Sequence, residues 1–274
     1  MFKSDIINLL GRKHHFTSYL EICTPTSGLR YSEIDRRQFT SCKRLMYRWR
    51  SDFADGSDVD YPVAEAEIGD VMADLYRTSA RFDVILVDPW HSYESSLSNL
   101  RDALPLLSES GALVVHDCSP PDIEVASPSA IPDFWCGVTY AALIDFVAGE
   151  PDVDLYTVDT DLGCAVVRRR TEVGAASRGL RPDPEALKLW DATGPDFNAR
   201  YRYFDSQRAK LINLISVDEF LDRECLRAIW KPLPAQWLKG RPGPYWRHGW
   251  DRLQGHLAAG FHLRSRSHRA RPRQ

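Results

Sequence analysis

Apolar and polar positions follow each other along the chain in blocks that predict strands and helices. The clearest block is FDVILVDPWHSYE, where five apolar positions among residues 82–87 are followed by Asp88 and a proline. A short apolar run that ends abruptly is typical of a buried strand. A second run covers residues 112–115 and ends on His116, Asp117 and Cys118. Because neighbouring strands lie about 5 Å apart, the acids at the two strand ends are expected to converge on one ligand or ion.

Similar blocks predict the rest of a layered α/β domain. We place strands at residues 18–22, 44–49, 61–66, 82–87, 112–115, 154–158 and 163–167. Helices are predicted at 69–79 and 138–148, and between these ranges Leu97, Leu100, Leu104 and Leu107 recur at helical spacing before the turn SESG. The alternation of strands with helices, closed by a hairpin, indicates a doubly wound, mainly parallel sheet with an antiparallel edge hairpin.

Two further regions follow the predicted sheet. Asp183 and Pro184 form a typical helix start, residues 201–215 carry the apolar spacing of an amphipathic helix, and Ser216 with Glu219 matches a capping box. From residue 263 arginine, serine and histidine dominate, and we expect disorder there. The predicted organisation is therefore a core domain, a helical extension and a tail, at 1–170, 171–226 and 227–274.

Composition places the chain among globular proteins. It has 274 residues and 43% apolar content, enough for one large domain and an appendage. The six cysteines form no CxxC pair, so we interpret them as reduced thiols and expect a cytoplasmic protein. The apolar run IINLL near the start is too short for a signal peptide or a membrane span, and no longer run follows.

Charge is segregated along the sequence. The formal net charge of -3 divides into -13 up to residue 226, from 24 basic and 37 acidic residues, and +10 after it, from eleven basic residues and one acid. A basic, tryptophan-rich tail fits contact with nucleic acid or an anionic surface, docking on the acidic body, or a simply solvated end. No zinc-finger, RNP or helix-turn-helix pattern supports a nucleic-acid partner.

The turn after the first predicted strand bears on the cofactor. This turn, CTPTSG, holds one glycine, Gly28. A dinucleotide fingerprint needs three glycines at set spacing, so that the backbone can approach a pyrophosphate. NAD is therefore not expected.

Several motifs together resemble a known family. In order, they are SYLEI, FDVILVDPWHSYE, the leucine helix, GALVVHDCSPPD, FWCGVTY and TVDTDLGCAVV. Across residues 16–170 the sequence resembles the class I S-adenosylmethionine-dependent methyltransferases of the small-molecule and sugar O-methyltransferase type. The most specific parts are the D-x-x-H-x-Y-E loop and the HDC strand end. Where the family has a glycine-rich turn, this chain has Cys23 in place of the first glycine and keeps Gly28.

The resemblance implies a Rossmann-like, seven-stranded sheet with S-adenosylmethionine (SAM) over the ends of the first strands. It places the amino-acid part and ribose of the cofactor near Glu21, Gly28 and either Asp52 or Asp55. Asp70 or its neighbours would lie near the adenine, and a small hydroxylated substrate would face His91.

The chemistry at the strand ends has functional and plainer interpretations. His91 has the intrinsic pKa of a general base near neutrality, or it only caps the following helix. Asp88 and Asp117 suit a hard divalent ion such as Mg²⁺, which would bind substrate oxygens, or they accept backbone hydrogen bonds. His116 orients Asp117 or is a satisfied structural histidine.

The remaining candidates also have two interpretations. Glu94 contacts substrate or stabilises its helix, and Trp90 and Trp135 wall a pocket or pack in the core. Cys118 and Cys136 are interpreted as small buried hydrophobes, since nothing beside them in the sequence suggests an activated thiolate.

Three functions therefore remain open. The leading hypothesis is an O-methyltransferase acting on a small metabolite or sugar, with a homo-oligomer among the expected assemblies. A non-catalytic binding protein of the same fold is suggested by Cys23 and the missing glycines. A nucleic-acid methyltransferase is suggested by the basic tail, but the strand end lacks the second proline and the aromatic residue that would hold a flipped base.

Overall fold

An eight-stranded sheet with helices on both faces forms the centre of the protein. The computed structural model describes residues 1–24, 31–47, 59–64, 67–132, 135–170 and 181–230. All of them except Pro132 belong to one compact unit, Met1–Ile131 with Trp135–Trp230. The strand order is β3-β2-β1-β4-β5-β7-β6-β8. The first five strands run parallel, β7 is antiparallel to β5 and β6, and β8 is parallel to β6.

The strand bounds are β1 Ser18–Cys23, β2 Ser41–Tyr47, β3 Tyr61–Val63, β4 Phe82–Asp88, β5 Leu107–Val115, β6 Val153–Val158, β7 Cys164–Arg169 and β8 Leu214–Ile215. The first five follow the 3-2-1-4-5 order of a Rossmann-like sheet. In this order the strands are added on one side up to β3 and on the other side from β4 onward, so the strand order reverses between β1 and β4. The predicted doubly wound α/β fold is thus confirmed. β8 is an additional strand beyond the predicted hairpin.

The helix bounds are α1 Lys3–His14, α2 Ile68–Arg77, α3 Tyr93–Ala103, α4 Thr139–Gly149, α5 Pro184–Ala192, α6 Phe197–Leu211 and α7 Val217–Arg223. None of the described helices is both long enough and apolar enough to span a bilayer. The predicted capping box at Ser216 and Glu219 is confirmed, because each side chain accepts the other residue's backbone N–H.

Two apolar clusters hold the layers together. Helices α2 to α6 pack on one face of the sheet, around buried residues such as Leu100, Phe146 and Trp190. Helices α1 and α7 cover the other face, through Ile6, Ile7, Phe220 and others. The sheet is therefore buried on both sides, as parallel strands require.

Two expectations about elements are wrong, and one helix was not predicted. SESG is not a turn but part of β5, which begins at Leu107 after a 3-10 turn over Leu104–Leu106. Ile215 lies in β8 and not in the amphipathic helix, which ends at Leu211. Helix α1 was not predicted, although Ile6, Ile7 and Leu10 are spaced for one buried face.

Candidate active site at the ends of β4 and β5

The candidate site forms where β4 and β5 end side by side. Asp88 is the last residue of β4 and is fully buried. His116 and Asp117 follow β5, and the His116 N–H donates to the carbonyl of Val87 at 3.2 Å. The carboxyl ends of strands next to a reversal of strand order are where open α/β sheets bind ligands. The structure thus brings the predicted residues Asp88 and Asp117 together.

Lys3 also belongs to this site, from the first turn of α1. Its Nζ forms an ion pair with Oδ2 of Asp88, and both side chains are almost fully buried. The backbone N–H of Lys3 donates to Oδ2 of Asp161, in the turn between β6 and β7, at 2.9 Å. Thr160 fixes the same helix start by donating its hydroxyl to the carbonyl of Met1 at 2.7 Å. No motif points to Lys3; only the apolar spacing of α1 would have placed a helix here.

His116 lies among three carboxylates. Its Nδ1 is 3.1 Å from Oδ2 of Asp117 and 3.6 Å from Oδ1 of Asp88, and its Nε2 is 3.3 Å from Oδ2 of Asp161. The ring is not aligned for hydrogen bonds to them, so its interaction with these acids is mainly electrostatic. His116 is therefore not a structural histidine with satisfied hydrogen bonds. It interacts with the three carboxylates through its charge.

The charges of the cluster stabilise each other. Burial opposes each charged form, but Lys3 and His116 outweigh it and hold the pKa of Asp88 well below its ordinary value. Burial alone would lower the pKa of Lys3, but Asp88 and Asp161 raise it. Burial likewise opposes ionisation of Asp161, yet His116 and Lys3 lower its pKa to about 2. The cluster is therefore an ion-pair network at neutral pH.

His91 faces this network from the loop after β4. Its Nε2 lies 3.2 Å from Oδ2 of Asp117, and the side chain of His91 is 12% exposed. Its Nδ1 is buried and has no hydrogen-bond partner among the described residues. The cap of α3 is Ser92, whose Oγ accepts the N–H of Ser95 at 3.2 Å. His91 is therefore not the helix cap, and one of its ring nitrogens is left without a partner in the part of the chain that the structure describes.

Gly137 allows the backbone to approach His91. The N–H of Val138 donates to the carbonyl of His91 at 3.0 Å. Gly137 has a φ of +57°, and a Cβ there would lie 2.1 Å from the carbonyl oxygen of His91. Asp117 also has a positive φ, of +59°, a conformation that aspartate tolerates better than most residues. Both backbones are shaped to bring His91 and Asp117 together.

Aromatic residues flank the pair. The rings of Trp90 and Trp135 meet edge to face at 4.4 Å, and Trp135 lies 5.3 Å from the His91 ring. Trp135 is fixed by its Nε1–H, which donates to the carbonyl of Ser127 at 2.7 Å. Trp90 also packs on the large apolar cluster. The two indoles thus pack together and also border the site. The interpretations of Trp90 and Trp135 as core residues and as pocket walls therefore do not exclude each other.

The cysteines and Glu94 take plain roles. All six cysteines are free thiols, and burial raises the pKa of Cys118 and Cys136 well above the ordinary value. Their interpretation as small buried hydrophobes agrees with full burial. Glu94 lies exposed in the first turn of α3, where a negative charge stabilises the helix.

The residues predicted to hold the cofactor are only partly described. Gly28, Asp52 and Asp55 lie outside the described residues. Asp70 is exposed in the first turn of α2. Glu21 is 1% exposed beneath α1, where its carboxylate accepts the hydroxyl of Tyr19 at 2.8 Å and lies 3.3 Å from Nε of Arg44. The roles of these five residues in cofactor binding stay predictions.

The arrangement of side chains around Asp88 and Asp117 bears on whether a metal ion can bind there. Ligand atoms of Asp88, His116 and Asp117 lie within 4.8 Å of one another, close enough for one ion. However, the ammonium of Lys3 already contacts Asp88, and His91 and His116 contact Asp117. A divalent ion does not fit this arrangement unless Lys3 leaves.

Similar solved structures include three methyltransferases. The SAH-bound methyltransferase PaMTH1 of Podospora anserina is 13% identical, with a TM-score of 0.40 and coverage of 61% of this chain and 78% of that chain. The O-methyltransferase TomG of Streptomyces achromogenes, in complex with SAM, is 16% identical (TM-score 0.40; coverage 61% and 80%). An O-methyltransferase from Bacillus cereus, in complex with SAH, is 12% identical (TM-score 0.43; coverage 61% and 79%). Neither a protein-family model nor a curated protein matches the chain.

Proposed function

We propose that this protein transfers a methyl group from SAM to a hydroxyl of a small molecule, with His91 as the general base. The observation that carries this proposal is the pairing of His91 with Asp117 at the carboxyl ends of β4 and β5. The sheet order and the motifs that resemble class I methyltransferases supply the reaction class. The Trp90 and Trp135 rings beside His91 favour a small acceptor with an apolar or sugar face.

The His91–Asp117 pair provides the proton transfer that this reaction needs. A carboxylate at Nε2 favours the tautomer with its proton on Nε2, which leaves the lone pair of Nδ1 as the acceptor. The hydroxyl proton of the substrate then passes to Nδ1, and Asp117 stabilises the resulting imidazolium. SAM, when bound, supplies an electrophilic methyl group on its sulfonium. Positioning of the two reactants accounts for the remaining acceleration.

The first experiment separates the enzyme from a non-catalytic binding protein. Calorimetry with SAM and with SAH on the purified full chain is expected to give binding of both. If neither ligand binds or raises the melting temperature, the binding-protein hypothesis replaces the enzyme.

The second experiment tests His91 on a panel of hydroxylated small molecules, with formation of SAH as the readout. His91→Ala should lower turnover by at least about a hundredfold, because it removes general-base catalysis, and should leave SAM affinity nearly unchanged. His15→Asn is the matched control, since His15 is exposed and has a positive φ that asparagine tolerates. Near wild-type turnover of His91→Ala would place the base elsewhere.

The predicted Mg²⁺ at Asp88 and Asp117 is tested with a chelator. Ligand atoms of Asp88, Asp117 and His116 lie close enough for one ion, but the Lys3 ammonium already contacts Asp88, so turnover should survive the chelator. A fall in turnover to the level of Asp88→Asn would show that the reaction needs a metal.

A further inference from the structure

Lys3 places its ammonium on Asp88, one of the three residues whose ligand atoms lie close enough together for one metal ion. Its ammonium contacts Asp88, and its backbone N–H contacts Asp161, so one residue joins both acids to the start of α1. A positive charge between buried carboxylates compensates their mutual repulsion and their loss of hydration. An ammonium on Asp88 uses one oxygen of that carboxylate and repels a divalent cation beside it.

The position of Lys3 is fixed by the rest of α1. Ser4 donates its hydroxyl to Glu33 at 2.6 Å, and the Asn8 side chain donates to the carbonyl of Glu33 at 2.9 Å. The oxygen of that Asn8 side chain accepts the N–H of Asp35 at 2.8 Å. Ile6 and Ile7 are fully buried beneath the helix. The helix therefore holds the ammonium at Asp88, and a flexible surface lysine would not.

We propose that Lys3 is a built-in cation that takes the place of a divalent metal at Asp88 and Asp117. The site is then independent of metal, and Lys3 is a positioning residue that keeps Asp88 charged and in place. This inference concerns the same site as the proposed function but does not depend on methyl transfer, because its test reads metal binding. The two can therefore fail separately.

The test measures binding of Mn²⁺, alone and without substrate, to the full chain and to variants at position 3. Wild-type protein should show no binding by calorimetry or electron paramagnetic resonance at about 1 mM Mn²⁺. Lys3→Met, which keeps the apolar stem and removes the charge, should bind Mn²⁺. Its melting temperature should rise by roughly 5 °C with the ion, because a ligand that binds only the folded state stabilises it.

Three further variants serve as controls for this test. Lys13→Met removes an exposed lysine from the same helix and should behave like wild type. Adding Asp117→Asn to Lys3→Met should abolish the gained binding and so locate the ion. Lys3→Gln is a second neutral variant, used where Lys3→Met does not fold, since its amide can still donate to Asp88.

Two results would overturn the proposal. One is Mn²⁺ binding by wild-type protein that Asp117→Asn removes. The other is a folded Lys3→Met or Lys3→Gln protein that binds no Mn²⁺.

Discussion

At the scale of single residues, the site depends on backbone positions as much as on its acids. Gly137 touches the carbonyl of His91 where no side chain fits, and Val138 donates to that same carbonyl. Gly163 plays the same part on the other side, since a Cβ there would lie 2.4 Å from the backbone nitrogen of Ser119. Close backbone contact thus sets where His91 and Asp117 point.

Gly137→Ala should therefore damage both stability and activity. The added methyl would collide with His91 and force alanine into a left-handed conformation, so we expect a loss of at least about 2 kcal/mol in the free energy of unfolding. SAH formation should fall as His91 moves, while SAM affinity changes little. Urea unfolding and turnover are the measurements.

Gly69→Ala is the matched control for this substitution. Gly69 lies in α2 with open space where its Cβ would be, so alanine should stabilise by roughly 0.5–1 kcal/mol. Equal effects of the two substitutions would mean that Gly137 does not shape the His91 loop.

At the scale of elements, the helix α1 and the β6–β7 turn complete a site that β4 and β5 begin. Asp161 joins the three parts, because it accepts the N–H of Lys3 and lies 3.3 Å from His116. Its φ of +49° turns the backbone so that the carboxylate faces inward. The turn between β6 and β7 is therefore part of the wall of the candidate site.

This role of Asp161 predicts a pH dependence of stability. Its pKa is about 2 in the folded protein and about 3.9 in an unfolded chain. A lowered pKa contributes stability that is fully present above pH 4 and is lost as the pH falls toward 2. Asp161→Asn should lower the free energy of unfolding by about 2 kcal/mol at pH 7, and the difference from wild type should shrink at pH 3.

Asp159→Asn in the same turn is the control, since Asp159 is exposed. It should lie within about 0.5 kcal/mol of wild type at both pH values. A difference between Asp161→Asn and wild type that does not depend on pH would show that the Asp161 charge is not what stabilises the turn.

The sequence predicts the central elements well because their apolar runs are long and end in polar residues. FDVILVD and the runs around it placed β4, the end of β5 and the hairpin, and with them Asp88, His91 and Asp117. It did not predict Lys3, because the ion pair joins residues 85 positions apart in the chain and no local pattern records such a contact. β8 was missed since two residues carry no periodicity. SESG was mistaken for a turn because it has no apolar strand pattern, and it lies where the register between β4 and β5 shifts.

At the scale of the whole molecule, the described chain continues as one unit to Trp230. The fully buried Trp190, Phe204 and Phe220 come from helices after residue 180 and pack on the sheet. The helical extension at 171–226 therefore contributes to the core clusters. The basic tail lies almost wholly outside the described residues, so its partner stays a proposal.

Removal of residues 263–274 should leave the fold intact, because this segment has almost no apolar residue to bury. We expect the melting temperature to change by less than roughly 2 °C. Truncation after Ser216 is the contrasting variant, since it removes Phe220, Leu221 and Leu226 from the core and should unfold the protein. A large fall on the short truncation would mean that the tail packs on the body.

The contact between Lys3 and Asp161 spans 158 positions of the sequence. Contacts of such long separation form late, because the intervening chain must first be ordered. During synthesis the helix α1 emerges first, yet its partner turn follows only after five parallel strands have been made. Lys3 can therefore reach Asp161 only after β1 to β6 have been made, so assembly of the candidate site belongs to a late stage in the formation of the sheet.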